Sequence, residues 1–203
     1  NDRSGVPTMN EGSLKVASFN VLNYFNGPDF PTARGASSAE EFERQSNKIV
    51  SAISAINADI VGLMEVENDG YGAQSAVAEL VNRLNAVMGA DTYRYVSYSV
   101  DELGGDKIAS GLIYKPSKVN LVGDAVSILG VPFDYGNRPP MVQTFSEIAS
   151  GEELTIAVNH FRSKGSCSSA TGGNQDSGDG QGCWNQVRVD AANALMIWLA
   201  TKP

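Results

Sequence analysis

A short apolar segment that ends in a carboxylate gives the strongest indication of how this chain folds. Residues 60–64 are Ile, Val, Gly, Leu and Met, and Glu65 follows them directly. Such a run predicts a buried β-strand that carries Glu65 at its C-terminal end. Because burying an unpaired carboxylate is costly, a divalent cation is one compensation, and Mg²⁺ is usually held by one or two carboxylates with waters and substrate phosphates. The alternative is a strand that ends at the surface with Glu65 solvated, and this segment alone favours neither.

The composition of the chain excludes some classes of protein. The 203 residues suffice for one domain with a sizeable core, or for a large part of a bigger one. The net charge of −8 argues against a protein that coats nucleic acid through a basic surface, although a few arginines and metal ions could bind phosphates locally. No apolar run approaches the roughly 20 residues that span a bilayer. The chain begins at Asn1 without a signal peptide, as expected for a mature or trimmed protein.

The two cysteines, Cys167 and Cys183, enclose a segment rich in Gly, Ser and Asp. A disulfide would stabilise such a loop by about 3 kcal/mol in the chain-entropy model, because the segment itself buries little surface. Two free thiols are the alternative, and we favour the disulfide. Since disulfides persist outside the reducing cytosol, the pairing predicts a secreted protein, with the cell surface and the periplasm as further possibilities.

Apolar periodicity divides the chain after residue 13 into three helices and a series of strands. Residues 1–13 are polar and are predicted to form an N-terminal extension. The helices are predicted to run from the Ser38 cap to Ala58, from Val77 to Met88 and from Val187 to Trp198. The strands are predicted over residues 14–20, 60–65, 93–98, 108–114, 119–128, 141–148 and 154–160. Because several strands follow one another without an intervening helix, we expect an α/β fold of mixed, mostly antiparallel sheets with helices on their outer faces.

Five polar residues lie at, or just beyond, the ends of these strands: Asn20, Glu65, Asp106, Arg138 and His160. Strand ends can converge on one rim of a sheet, and this set suits phosphodiester hydrolysis. The carboxylate would hold a metal ion that polarises the phosphoryl oxygen, the arginine would bind the phosphate in a bidentate manner, and the histidine would donate a proton. Taken singly, each has an ordinary alternative: a turn asparagine, a surface arginine or a structural histidine.

Three motifs in combination resemble those of the exonuclease/endonuclease/phosphatase superfamily, which includes pancreatic deoxyribonuclease. They are Ser18-Phe19-Asn20-Val21-Leu22-Asn23, Gly62-Leu63-Met64-Glu65-Val66-Glu67-Asn68 and Asn159-His160-Phe161. The segments 106–116, 137–141 and 160–165 resemble the large secreted bacterial nucleases of this superfamily more closely. The resemblance runs from Leu14 to the C-terminus.

This resemblance implies a fold, an activity and a set of site residues. The fold would be the deoxyribonuclease-like four-layer sandwich, with two packed sheets between helices. Glu65 and Asn20 would bind Mg²⁺ or Mn²⁺, His160 and Arg138 would contact the scissile phosphate, and Asp106 is a weaker assignment. The chain would be a secreted bacterial nuclease, with DNA favoured over RNA as substrate. The alternatives are a non-catalytic secreted binding module on the same fold and a phosphatase of the same superfamily.

One part of the resembled pattern is absent from this sequence. The superfamily completes its site with a Gly-Asp-x-Asn strand and a final Ser-Asp-His, and neither occurs here. Asp190 lies in a helical pattern, and His160 is the only histidine. We therefore expect residues 14–203 to be the N-terminal two-thirds of a catalytic domain that is inactive alone. Such a chain would retain its missing part as a partner or associate with itself.

The glycine-rich segment between the cysteines offers a second, weaker metal site. Asn174, Asp176 and Asp179 place several side-chain oxygens within six residues, a composition that could hold Ca²⁺. The spacing lacks the EF-hand pattern and its terminal glutamate. A solvated loop is the alternative interpretation.

Overall fold

The computed structural model describes residues 12–134 and 136–201. Residues 1–11 of the predicted N-terminal extension lie outside this range. Within it the chain forms, in order, β1 Val16–Tyr24, α1 Ala39–Ile56, β2 Ile60–Glu67, α2 Ala76–Met88, β3 Arg94–Tyr95, β4 Ile108–Tyr114, β5 Val119–Val126, β6 Met141–Glu147, β7 Glu153–Val158 and α3 Asn185–Leu199. Two short 3₁₀ turns, Cys167–Ser169 and Gly172–Asn174, precede α3. None of these helices combines the length and the apolar character needed to cross a membrane.

The strands form two sheets, as predicted. The first has the order β1-β2-β4-β3, in which β1 and β2 are parallel and the other pairs antiparallel. The second is the antiparallel meander β5-β6-β7. Within the described residues, β1 and β7 each pair on one side only. The predicted α/β class with mixed, mostly antiparallel sheets is therefore confirmed.

Helices α1 and α2 cover the outer face of the first sheet. Ser38 caps α1, since its hydroxyl accepts a hydrogen bond from the amide of Glu41 at 3.2 Å. The apolar positions of α1, among them Phe42, Ile49 and Ile53, face one core cluster that also holds residues of β1, β2 and α2. The amphipathic pattern that predicted the helix thus faces the sheet.

The inner faces of the two sheets pack against each other in a second cluster, in which Leu112 of β4 meets Met141 and Phe145 of β6. The sheets approach most closely where β2 passes β7. A Cβ atom added to Gly62 would lie only 2.9 Å from a methyl group of Val158. Gly62 therefore permits β7 to end beside β2, two residues before His160 and close to the position of Glu65.

Helix α3 belongs to a smaller core at one end of the second sheet. Ala191 and Leu195 pack with Phe133, and Phe161 and Trp198 lie against them. The segment that leads to α3 is closed by a disulfide between Cys167 and Cys183, so the predicted pairing is confirmed. Trp184, 5% exposed, packs beside Cys183 and donates its indole N–H to the carbonyl of Gly165 at 3.0 Å.

The strand boundaries differ from the sequence prediction at three places that matter. Strand β1 continues past Asn20 to Tyr24, and β2 continues past Glu65 to Glu67, so both polar residues lie within strands rather than at their ends. The predicted strand 93–98 is reduced to Arg94–Tyr95. Its alternating aromatic residues reflect burial instead: Tyr93 is fully buried in the core beneath α2.

The disulfide generates a prediction about stability. Replacing Cys167 and Cys183 together by serine should lower the free energy of unfolding by about 3 kcal/mol, because the unfolded chain then regains the freedom of a loop of this size. Urea unfolding measures the change. As a control, replacing the exposed Ser163 and Ser168 by alanine should alter stability by less than about 0.5 kcal/mol. Thiol alkylation of the folded protein without reductant should label neither cysteine, and two labelled thiols would contradict the bond.

Candidate active site

Glu65 sits at an irregularity in β2 that turns its side chain toward β1. The register of β2 against β4 shifts between Leu63 and Val66, and Glu65 between them has φ 68°. On β1, the register against β2 shifts between Asn20 and Tyr24, where Leu22 and Asn23 also have positive φ values of 56° and 49°. A residue other than glycine in this conformation costs roughly 1–3 kcal/mol and persists only where surrounding contacts hold it.

Those surrounding contacts are made largely by the Glu65 carboxylate itself. The side-chain amide of Asn20 donates to one of its oxygens at 2.8 Å, and the backbone N–H of Asn23 donates to the other at 3.1 Å. The amide oxygen of Asn20 accepts the backbone N–H of Leu22 at 2.8 Å. The paired irregularities of β1 and β2 thus form one hydrogen-bonded unit that fixes a carboxylate at the surface of the sheet.

His160 follows β7 and completes this side of the site. Its Nε2 atom lies 3.6 Å from a Glu65 carboxylate oxygen, and the two side chains are 19% and 18% exposed. Its Nδ1 atom is buried and has no hydrogen-bond partner among the described residues. Burial lowers the pKa of His160 below its ordinary value, and the nearby Arg138 lowers it further, while Glu65 and Asp106 oppose the shift. The neutral imidazole is therefore favoured near pH 7.

Asp106 and Arg138 form a second unit next to His160. The Nε and Nη2 atoms of Arg138 both lie 3.0 Å from one Asp106 oxygen, and the backbone N–H of Arg138 donates to the carbonyl of His160 at 3.2 Å. The other Asp106 oxygen lies 2.7 Å from Nη1 of Arg34. One carboxylate therefore holds two guanidinium groups beside the histidine.

The structure brings the five predicted residues into two contacting units, and it adds residues that the sequence reasoning did not single out. Asn68, at the end of a quoted motif, fixes the loop that carries Asp106: its side chain bonds the N–H and C=O of Leu103 and the carbonyls of Gly104 and Asp106. Arg34 lies in an irregular loop, and no motif or apolar periodicity in the sequence pointed to it. Asn23 contributes only a backbone N–H, which side-chain motifs do not reveal.

The residues of the predicted calcium loop are each engaged locally. Oδ1 of Asn174 accepts the N–H of Val187 at 3.0 Å in the first turn of α3. Oδ1 of Asp176 accepts the N–H of Gly178, and Oδ1 of Asp179 accepts the N–H of Gln181, each at 2.9 Å. Calcium binding here stays a prediction.

The side-chain oxygens of Glu65 and Asn20 fit a hard divalent cation whose other ligands come mainly from substrate and water. Over the part of the chain that the structure describes, no group of three His, Cys, Asp or Glu side chains could hold a metal. Glu65 nevertheless offers a carboxylate, and Asn20 offers an amide oxygen that uses one of its two lone pairs on Leu22. One carboxylate with one neutral oxygen is within the range that proteins use for Mg²⁺.

The fold is similar to that of solved structures. An endonuclease/exonuclease/phosphatase family protein from Bacteroides thetaiotaomicron matches with a TM-score of 0.54 at 15% identity, covering 92% of this chain and 57% of that one. The humanised D. rerio TDP2 matches with a TM-score of 0.49 at 16% identity, covering 75% of this chain and 49% of that one. The human Nocturnin catalytic domain matches with a TM-score of 0.48 at 20% identity, covering 72% of this chain and 50% of that one.

These likenesses concern the fold alone. The chain spans about half the length of the first solved chains it matches. No protein-family model matches the chain, and no curated protein matches its sequence. The arrangement of two packed sheets and flanking helices is therefore that of the endonuclease/exonuclease/phosphatase fold, over the part that this chain contains.

The pairing of Asp106 with two arginines generates a prediction. Asp106→Asn should lower the free energy of unfolding by about 1–3 kcal/mol, because hydrogen bonds to charged groups are worth about 1.5–3 kcal/mol and the Arg138 side chain is only 15% exposed. The pair with Arg34, 43% exposed, should contribute little. Asp134→Asn is the matched control, since Asp134 is exposed and makes no ion pair with another described residue. Equal urea midpoints for the two variants would contradict the role assigned to Asp106.

Proposed function

We propose that this chain is part of a metal-dependent phosphodiesterase that hydrolyses nucleic acid, with DNA favoured over RNA. The observation that carries the proposal is the Glu65 carboxylate, which Asn20 and Asn23 hold at a strand irregularity 3.6 Å from His160. A strained backbone and a fixed carboxylate beside a lone histidine are typical of functional sites rather than of ordinary strand ends. The fold is compatible with this activity but does not by itself establish it.

Each side chain has a defined task in this proposal. Glu65 and Asn20 would hold Mg²⁺ or Mn²⁺, which when bound stabilises charge on the phosphoryl oxygens. Arg138 would bind the scissile phosphate, and Asp106 keeps its guanidinium in position. His160 is neutral near pH 7 and can donate a hydrogen bond to a phosphate oxygen through a ring N–H. Asn68 holds the Asp106 loop so that these groups keep their spacing.

A secreted location, outside the cell or in the periplasm, is part of the proposal. It is supported by the disulfide between Cys167 and Cys183, because such bonds persist outside the reducing cytosol. The second candidate function is a non-catalytic binding module on the same fold. It is favoured because Asp106 is paired with two arginines and no group of three acidic, histidine or cysteine side chains that could hold a metal occurs among the described residues.

Substitution of Glu65 tests the metal site. Glu65→Gln keeps the size of the side chain and removes the charge that would attract the cation, so Mn²⁺ and Mg²⁺ binding measured by calorimetry should be lost while the fold is retained. Glu67→Gln, two residues further along the same strand, is the control and should bind the metal as the unaltered chain does. If Glu65→Gln binds metal normally, the proposed site is wrong.

The chain on its own should show no nuclease activity. The described part of the site contains one histidine and, apart from Asp106, which is paired with two arginines, one carboxylate. Each absent acid–base group typically costs about 10²–10⁴-fold in rate. We also expect self-association, because β1 and β7 present unpaired edges among the described strands and Met196 and Ile197 are about 70% exposed. Plasmid cleavage and size-exclusion chromatography with light scattering measure both. A monomer of 21.5 kDa that cleaves DNA in Mg²⁺ but not in EDTA would refute both expectations.

A further inference from the structure

A groove between the end of β1 and helix α1 is lined by three cationic side chains. Its volume is about 420 Å³, and its walls include Leu22, Asn23 and the cations Arg34, Arg44 and Lys48, together with one carboxylate, that of Glu41. A second depression, of about 260 Å³, is lined by Asp106, Lys107 and Arg138 and shares the wall formed by Arg34. The two depressions therefore adjoin through one arginine.

The groove is fixed to the site by hydrogen bonds. Asn23 forms one wall of the groove, and its backbone N–H donates a hydrogen bond to the Glu65 carboxylate. The side-chain amide of Gln45 on α1 donates to the carbonyls of Val21 at 2.9 Å and Leu22 at 2.6 Å. Helix α1 is therefore anchored to the irregular part of β1, and the charged side chains that α1 presents keep a set position relative to Glu65.

Arg34 is presented by a closed turn. The N–H of Gly35 and the carbonyl of Ala36 both bond the Thr32 hydroxyl at 3.0 Å. A Cβ atom at Gly35 would lie 2.8 Å from both the carbonyl oxygen of Asn23 and the Thr32 hydroxyl, so the turn packs directly against the end of β1. An arginine on a mobile surface loop would lack these contacts, so they indicate that the backbone at Arg34 is held in place.

The two depressions are richer in cationic side chains than the net charge of the chain would suggest. Five of its fifteen lysine and arginine residues line the two depressions, although the whole chain has a net charge of −8. Arg44 and Lys48 are exposed, lie four residues apart on α1, and form no ion pair within 4.0 Å with another described residue. By contrast, Arg83 on α2 is paired with both Glu43 and Glu79. Three cations against the single carboxylate of Glu41 give the groove a local excess of positive charge, which is typical of a surface that binds phosphates.

The groove also contains an apolar side chain that free phosphate would not require. Leu22 is 72% exposed, has a left-handed backbone conformation and lines the same groove as the cationic side chains. An exposed leucine offers contact to a sugar or a base, whereas the arginines and the lysine offer contact to the phosphates on either side. This combination favours a nucleotide strand over inorganic phosphate.

We propose that Arg34, Arg44 and Lys48 form a subsite for a second backbone phosphate of a nucleic acid strand whose scissile phosphate lies at Arg138. The inference rests on the proposed function, because it assumes a strand at the Glu65 site. Arg34 connects the two positions, since it lines both depressions and is held by Asp106. The protein then recognises a chain of at least two phosphates and discriminates against a single phosphoryl group.

The experiment compares the binding of two probes to variants of the 203-residue chain. The probes are a fluorescein-labelled eight-nucleotide thymidine strand and thymidine 5′-monophosphate, each titrated with Mg²⁺ over a range of salt concentrations. The test variant is Arg44→Ala with Lys48→Ala. The control is Arg94→Ala with Lys118→Ala, which removes the same charge from exposed positions that line neither depression.

The double variant in the groove should bind the strand more weakly, and its log affinity should fall less steeply with log salt. The slope should change by about 0.7, because each phosphate neutralised on a single strand contributes about 0.7 and the subsite takes one phosphate. The control should keep the slope of the unaltered chain, and monophosphate binding should be the same in all three proteins.

Every other outcome contradicts the subsite, and one of them also contradicts the proposed function. If the unaltered chain binds the strand and the groove variant behaves as the control does, the subsite is wrong and the proposed function stands. If the unaltered chain binds no strand even at low salt, the subsite and the proposed function both fall. If the groove variant loses affinity for thymidine 5′-monophosphate while its strand binding is unchanged, the groove takes a single phosphoryl group and the proposal is overturned.

Discussion

The position of the Glu65 carboxylate depends on a local interruption of two paired strands. A regular β2 would place Glu65 and Val66 on opposite faces of the sheet and leave the carboxylate without donors. The irregularity between Leu63 and Val66 turns Glu65 toward β1, where Asn20 and the N–H of Asn23 satisfy its oxygens. The same hydrogen bonds offset the cost of the left-handed backbone at both strands, so the strain and the site stabilise each other.

The site also depends on the close approach of the two sheets at Gly62. His160 reaches Glu65 because β7 ends against β2, and it can do so because Gly62 leaves room for Val158. An alanine there would force the second sheet away by a few tenths of an ångström or more. The backbone hydrogen bond from Arg138 to His160 then ties the segment before β6 to the end of β7, which brings the Arg138 guanidinium to the same edge. One small residue in the core therefore sets the spacing of three groups at the surface.

The sequence singled out residues that the structure brings together, but it did not predict how the backbone presents them. Apolar runs and the cap at Ser38 located the helices and most strands, because burial and capping are local properties. Asn20 and Glu65 were expected at strand ends, whereas both lie within strands at irregularities; a pattern of alternating residues does not register an extra residue in a ladder. Arg34 was not identified because its contact with Asp106 joins residues far apart in the chain and follows from the turn around Gly35. The disulfide was predictable, since the enclosed segment has little apolar surface of its own.

Under the proposed function, the distribution of charge explains how an acidic chain could present a surface for a polyanion. Electrostatic attraction falls off over about one Debye length, roughly 10 Å at moderate salt, so a strand at the site responds to nearby groups more than to the net charge. Asp106 concentrates this effect, because one carboxylate positions both Arg34 and Arg138 and neutralises only one of their two charges. The pair keeps a net positive charge, and the two guanidinium groups stay apart on opposite oxygens of Asp106. A phosphate at Arg138 and another beyond Arg34 can thus be attracted without the mutual repulsion that two unsupported arginines would suffer.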